Sequence, residues 1–153
     1  MRASIGISIA FGTFPTSKFV LRFNTIYGNG RGLTNMNNSP GGVGCPGNIL
    51  KEFSHSIIAN NFKFGGSQVN SGNSCSFKDI VVDSAETGTD AAFTKVSSID
   101  SDLDSLFRLL PTATWAIDKV TPAAGETLPS QDVYGVGRPQ NGKWDIGAAE
   151  FKP

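Results

Sequence analysis

The residues best suited to chemistry sit in two places. DSDLD presents Asp100, Asp102 and Asp104 in alternation, a spacing that suits calcium ligands. An EF-hand loop also needs Gly at its sixth position and Glu at its twelfth, and here those positions hold Ser105 and Pro111. The other reading is an acidic first helical turn, which the helix dipole favours. No cofactor is expected, and calcium is the one ion for which the sequence offers ligands. The second place is DVYGVGRPQNGKWDIGAAEF, residues 132–151. Asp132, Arg138, Asp145 and Glu150 are spaced there by Gly and Pro.

Most catalytic constellations lack their parts. His55 is the only histidine, so one residue would have to carry any Ser-His-Asp or Cys-His scheme. It reads as a residue beside a strand. Hydrolysis of polygalacturonate type needs paired acids, and no Asp-Asp occurs. Arg22, Lys51, Glu52, Lys78 and Asp79 form no acidic cluster at matching positions. An enzyme is therefore not the expected reading. Arg138, fixed between Gly137 and Pro139, suits a bidentate carboxylate partner among Asp132, Asp145 and Glu150. Tyr27, Tyr134 and Trp144 are candidates for stacking on sugar rings; Phe62 and Phe64 read as core.

The elements must position these groups. The chain has 153 residues, 18 Gly and 11 Phe, with 13 basic and 13 acidic side chains. Balanced charge argues against a nucleic-acid partner. The composition favours strands and turns over helices. No apolar run is long enough for a transmembrane helix. Ile5, Ile7, Ile9 and Phe11 alternate with small residues, a strand pattern at the start of the chain. Cys45 and Cys75 lie outside any CxxC spacing; they read as a disulfide or as two free thiols.

A repeat runs through the first half. FVLRFNTIYGNG, residues 19–30, overlays LKEFSHSIIANN, residues 50–61, pairing Thr25 with Ser56, Ile26 with Ile57 and Asn29 with Asn60. SFKDIVVDS, residues 76–84, follows with Ile80 at the place of Ile57. Recurring strands separated by Gly/Asn/Ser loops predict stacked parallel coils, with Ile26, Ile57 and Ile80 inside and Asn29 and Asn60 at a bend. An antiparallel sandwich would want tight hairpins, and the long loops fit it poorly. Ile99, Leu103, Leu106, Phe107 and Leu110 recur at helical spacing, predicting a short helix that Pro111 ends, or an irregular cap.

LLPTATWAIDKV, residues 109–120, followed by residues 131–151, resembles the C-terminal end of right-handed parallel β-helix surface proteins of bacteria. The closest likeness is to the choice-of-anchor Q type, within the pectate-lyase-like superfold. The matching positions are Leu109, Leu110, Pro111, Ala116, Ile117 and Asp118, then Asp132, Gly135, Arg138, Pro139, Asp145, Ile146, Gly147, Ala148 and Glu150. NTIYGNG and HSIIANN resemble that family's rungs. Trp115 departs from the family, which usually has Pro there.

The resemblance implies an all-β solenoid of a few last coils over residues 1–96, with further coils upstream. It implies a cap over 97–153 built on Asp118, Asp132, Arg138, Asp145 and Glu150, folded to shut the coil's open end. It also implies an exported or cell-surface bacterial protein. The expected function is a structural or adhesive module whose partner is a polysaccharide or cell-surface glycan. The alternative is the C-terminal part of a polysaccharide lyase or glycoside hydrolase whose catalytic coils lie upstream.

Overall fold

The computed structural model describes residues 7–8, 19–29, 41–44, 51–61, 63, 67–70 and 75–153. Its strands are β1 (Ile7–Ser8), β2 (Phe19–Arg22), β3 (Thr25–Tyr27), β4 (Val43–Gly44), β5 (Lys51–Ala59), β6 (Val69–Asn70), β7 (Cys75–Asp83) and β8 (Phe93–Val96). Every ladder between them is parallel. One sheet has the order β1-β4-β6; the other has β2-β5-β7-β8, with β3 also on β5. Parallel neighbours cannot be joined by a tight hairpin and need a crossover. Here the chain goes to the other sheet and back: β1, then β2 and β3, then β4, β5, β6 and β7. The fold is all-β and its sheets are parallel.

The two faces of the larger sheet bury different clusters. Ile26, Phe53, Ile58, Ile80 and Val82 pack with Val43 and Val69 of the smaller sheet, so this core lies between the sheets. Phe23, Ile57, Ala59 and Val81 pack against the C-terminal half of the chain. Strict alternation would put Phe53 and Ile58, an odd number of residues apart, on opposite faces. The phase is broken at His55, which has φ 52°. Phe23 (φ 55°) and Asp79 (φ 51°) hold the same register position and the same left-handed conformation. Each strand path therefore turns once, at one shared level, and two consecutive residues face outward there.

The register differs by one residue from the expected one on both sides of the kink, from Phe19 on Lys51 onward. Thr25 pairs with Ile57 and Ile26 with Ile58, and the next strand adds Val81 and Val82. The stack between the sheets is thus Ile26–Ile58–Val82, while Ile57 faces outward; a one-residue slip exchanges faces. The amide ladder shifts likewise. Asn29 donates through its backbone N and Nδ2 to Asn61 Oδ1, both at 3.0 Å, and Asn61 Nδ2 donates to the Ile26 carbonyl at 2.8 Å. Asn60 sits at the bend with φ 55°.

Past Val96 the chain forms α1 (Ile99–Asp102), turns and isolated bridges. The expected helix stops after one turn because its aspartates bind elsewhere. Asp104 Oδ1 accepts the backbone N–H groups of Leu106 and Arg108, a local competitor of helical bonding. Leu103 then pairs with Leu109, which leaves Leu106 53 % and Phe107 44 % exposed.

The final segment reaches back across the larger sheet. Ile146 joins Phe23, Ile57 and Val81, Gly147 N donates to the His55 carbonyl at 2.9 Å, and Ala148 N donates to Thr25 Oγ1 at 3.1 Å. These contacts lay the tail on a face of the sheet, where a lid over the open end of the stack had been expected. The reason is the outward turn of Phe23 and Ile57, which exposes an apolar face that the tail buries. Among the described residues, no helix is long and apolar enough to cross a membrane. Cys75 is disulfide-bonded; Cys45, Ile5, Ile9, Phe11, Phe62 and Phe64 lie outside the described residues.

Candidate functional site

The shared kink gathers charge. Arg22, Ser54 and Lys78 are register partners on β2, β5 and β7, and the kink puts Phe23, His55 and Asp79 beside them. The segment between Val120 and Gln131 lies over this column and lowers Glu126 into it. Glu126 Oε1 is 3.2 Å from Arg22 Nη1 and 3.9 Å from His55 Nε2, and Oε2 is 3.6 Å from Lys78 Nζ. Arg22 Nη2 also lies 3.6 Å from Glu52 Oε1, and His55 Nδ1 lies 3.1 Å from Asp79 Oδ2. The kink brings two adjacent columns onto one side, so Arg22, Glu52, Lys78 and Asp79 are linked there through Glu126 and His55.

His55 is fully buried. Burial pushes its pKa below 6.5, the neighbouring Asp79 and Glu126 work the other way, and Lys78 and Arg22 add to the lowering. The imidazole is neutral near pH 7. Neither ring nitrogen is aligned for a hydrogen bond, in spite of the 3.1 Å approach of Asp79. The Ala123 N–H donates to Glu126 Oε2 at 3.0 Å, and this bond, with Lys78 and Arg22 beside it, holds the carboxyl below its ordinary pKa against the cost of burial. Glu126 went unnoticed in the sequence. It lies in a Pro/Gly-rich loop with no periodic signal, far from its partners along the chain.

The tail holds a second network, around Arg138. Its side chain is buried, its Nη2 donates to the Gly147 carbonyl at 2.9 Å, and its guanidinium lies 4.8 Å from the Phe23 ring centre. Arg138 Nε is 3.4 Å from Glu150 Oε2, an ion pair without hydrogen-bond alignment. Asp145 accepts the Asp118 N–H at 2.7 Å and that of Phe151; Glu150 accepts those of Gln140 and Asp145; Asp132 accepts those of Tyr134, Val136 and Glu150. Burial pushes the Asp145 and Glu150 carboxyls up and lowers Arg138. The expected residues are thus together; Asp132, Asp145 and Glu150 accept backbone N–H groups, while Arg138 spends Nη2 on a carbonyl and leaves Nε and Nη1 without a hydrogen bond.

The other candidates separate. Tyr27 donates its hydroxyl to Asp100, accepts from Asn60 Nδ2 at 2.8 Å and packs on Phe107. Trp144 donates Nε1 to the Pro129 carbonyl at 2.9 Å and packs on the core. Tyr134 is 49 % exposed, its hydroxyl donates to the Leu106 carbonyl, and it lines a cleft of 540 Å³ with Arg108, Pro111 and Lys152. Asp100, Asp102 and Asp104 diverge: Asp102 accepts from Ser98 and Trp115 Nε1, Asp104 from Arg108. No group of three or more His, Cys, Asp or Glu among the described residues is arranged to hold a metal ion.

Comparison of the chain with family models, curated proteins and solved structures finds no match.

Proposed function

We propose that the chain forms the last coils of a right-handed parallel β-helix and serves as a non-catalytic structural or adhesive module of an exported bacterial surface protein. The observation that carries this reading is the alternation of the chain between two parallel sheets, with the left-handed residue repeated at Phe23, His55 and Asp79. A chain that advances one strand per sheet per circuit is a coil, and identical kinks at one level keep its cross-section constant. The choice-of-anchor Q resemblance agrees in the tail, where the two matching segments meet: Ile146 N donates to the Ala116 carbonyl and Asp145 accepts from Asp118. A disulfide at Cys75 suits an oxidising, exported setting.

Glycan contact belongs to the Tyr134 cleft. With its hydroxyl tied to Leu106, the ring presents an apolar face beside the Arg108 and Lys152 side chains, a surface on which a sugar ring can stack weakly. The second reading is a lyase or hydrolase fragment, and the charge column at Arg22, His55, Lys78 and Asp79 is what favours it. Incubation with a panel of pectins, alginates and neutral glycans decides between them. The structural reading expects retention of one or more glycans with no new reducing or unsaturated ends, and weakened retention in Tyr134→Ala. Release of new ends would overturn it.

A further inference from the structure

Among the described residues, six buried side-chain nitrogen or oxygen atoms lack a hydrogen-bond partner in the protein, and four of them sit in one patch. They are Arg22 Nε, Ser54 Oγ and both ring nitrogens of His55. Buried polar groups are nearly always satisfied, so a concentration of exceptions marks a place that serves something else. Ser54 and His55 are fully buried, and His55 Nε2 lies 3.9 Å from the Glu126 carboxylate. Glu126 itself serves this patch only in part: it meets Arg22 Nη1 and Lys78 Nζ and leaves Arg22 Nε, Ser54 and His55 unbonded.

We propose that the place the Glu126 carboxylate takes in the charge column under residues 121–130 is a binding site for a small hydroxycarboxylic acid, which Glu126 occupies when no ligand is bound. The present occupant fixes the first half of the assignment. A carboxylate lies against one guanidinium, one ammonium and an imidazole, each carried by a different strand of a rigid sheet. The unbonded atoms fix the second half. A hydroxyl both donates and accepts, so it can serve Ser54 Oγ, Arg22 Nε or an imidazole nitrogen, none of which the Glu126 carboxylate bonds. The cover is anchored beyond Glu126 by Leu128 and by the Pro129 and Ser130 carbonyls, while its turn residues 123–125 are exposed and its contact with the charge column is Glu126. The inference does not rest on the coiled architecture or on glycan binding at Tyr134.

The test uses the single histidine as its reporter. His55 ring resonances are followed by NMR in wild type and in Glu126→Ala, with acetate, glycolate, sulfate and chloride added at matched ionic strength. Glu126→Ser serves in place of the alanine variant if that one does not fold, since it too removes the carboxylate and leaves its place open. The expected result is a saturable shift with acetate in the variant, at least about tenfold tighter than in wild type, where Glu126 competes. Glycolate should bind about fivefold tighter than acetate, the worth of one added hydrogen bond. Adding Arg22→Gln should abolish the response. Equal shifts with chloride or sulfate, no saturation, or insensitivity to Arg22 would overturn the site. Glycolate binding no tighter than acetate would overturn the hydroxy-acid assignment.

Discussion

At the scale of single residues, buried charge sets the behaviour. Arg138 and Glu150 are both buried, and Glu150 is already pushed up by burial, against the lowering by the Asp145 N–H, the Gln140 N–H and the Arg138 charge. Removing the cation leaves that carboxylate without compensation, so Arg138→Gln should cost about 3 kcal/mol at pH 7 by chemical denaturation. The sign of the pH effect is specific. A carboxyl whose folded pKa is raised binds a proton more tightly in the fold, so the variant should regain stability as pH falls from 7 towards 5. A variant that instead weakens over that range would show that Glu150 is not the group left exposed to the loss. His55 behaves in the opposite sense. Its pKa is lowered by burial, with Asp79 and Glu126 opposing and Arg22 and Lys78 reinforcing, so the fold favours the neutral ring. That contribution is complete above pH 6.5 and is lost as pH drops below it, with a slope of at most about 1.4 kcal/mol per pH unit. His55→Leu should flatten this part of the stability profile, and an unchanged slope would assign it to other groups. Arg138 and its acidic neighbours were legible in the sequence, because Gly and Pro flank them and leave few directions. The burial of His55 was not legible. It follows from a backbone kink that no residue type announces, since Phe23, His55 and Asp79 share only their place.

At the scale of elements, the tail depends on one close approach. Gly147 has φ 104°, and a Cβ there would lie 2.7 Å from Ile57 Cδ1 and 3.1 Å from Thr25 Oγ1. Gly147→Ala should therefore lift the Ile146–Ala148 segment from β3 and β5, lose the Ala148–Thr25 hydrogen bond, and destabilise by about 2 kcal/mol. Hydrogen exchange at the Gly147 amide, which now bonds the His55 carbonyl, would report it; unchanged protection would contradict the packing. The strands themselves were visible as repeats of β-branched and aromatic residues ending in Asn or Asp. Their register was not, because matching like residues pairs Ile26 with Ile57, whereas the ladder pairs Ile26 with Ile58 and keeps that spacing from Phe19 on Lys51 onward. The stretch Ile99–Leu110 is a short helix, Ile99–Asp102, followed by irregular turns. Its apolar spacing was right, but Asp102 and Asp104 find partners in Ser98, Trp115, Arg108 and the backbone, and those bonds close a loop after one turn.

At the scale of the whole molecule, two parallel sheets share one core and the chain's last third covers an outer face of the larger sheet. The all-β class was legible from composition and repeats, while the place of the tail was not. Its position follows from which residues turn outward, and that follows from the kink. Methyl–methyl nuclear Overhauser contacts test this arrangement most directly. The account predicts contacts of Ile58 with Ile26 and Val82, and of Ile57 with Val81 and Ile146. Contacts of Ile57 with both Ile26 and Ile80, without any to Ile146, would restore the register expected from the repeat and contradict it.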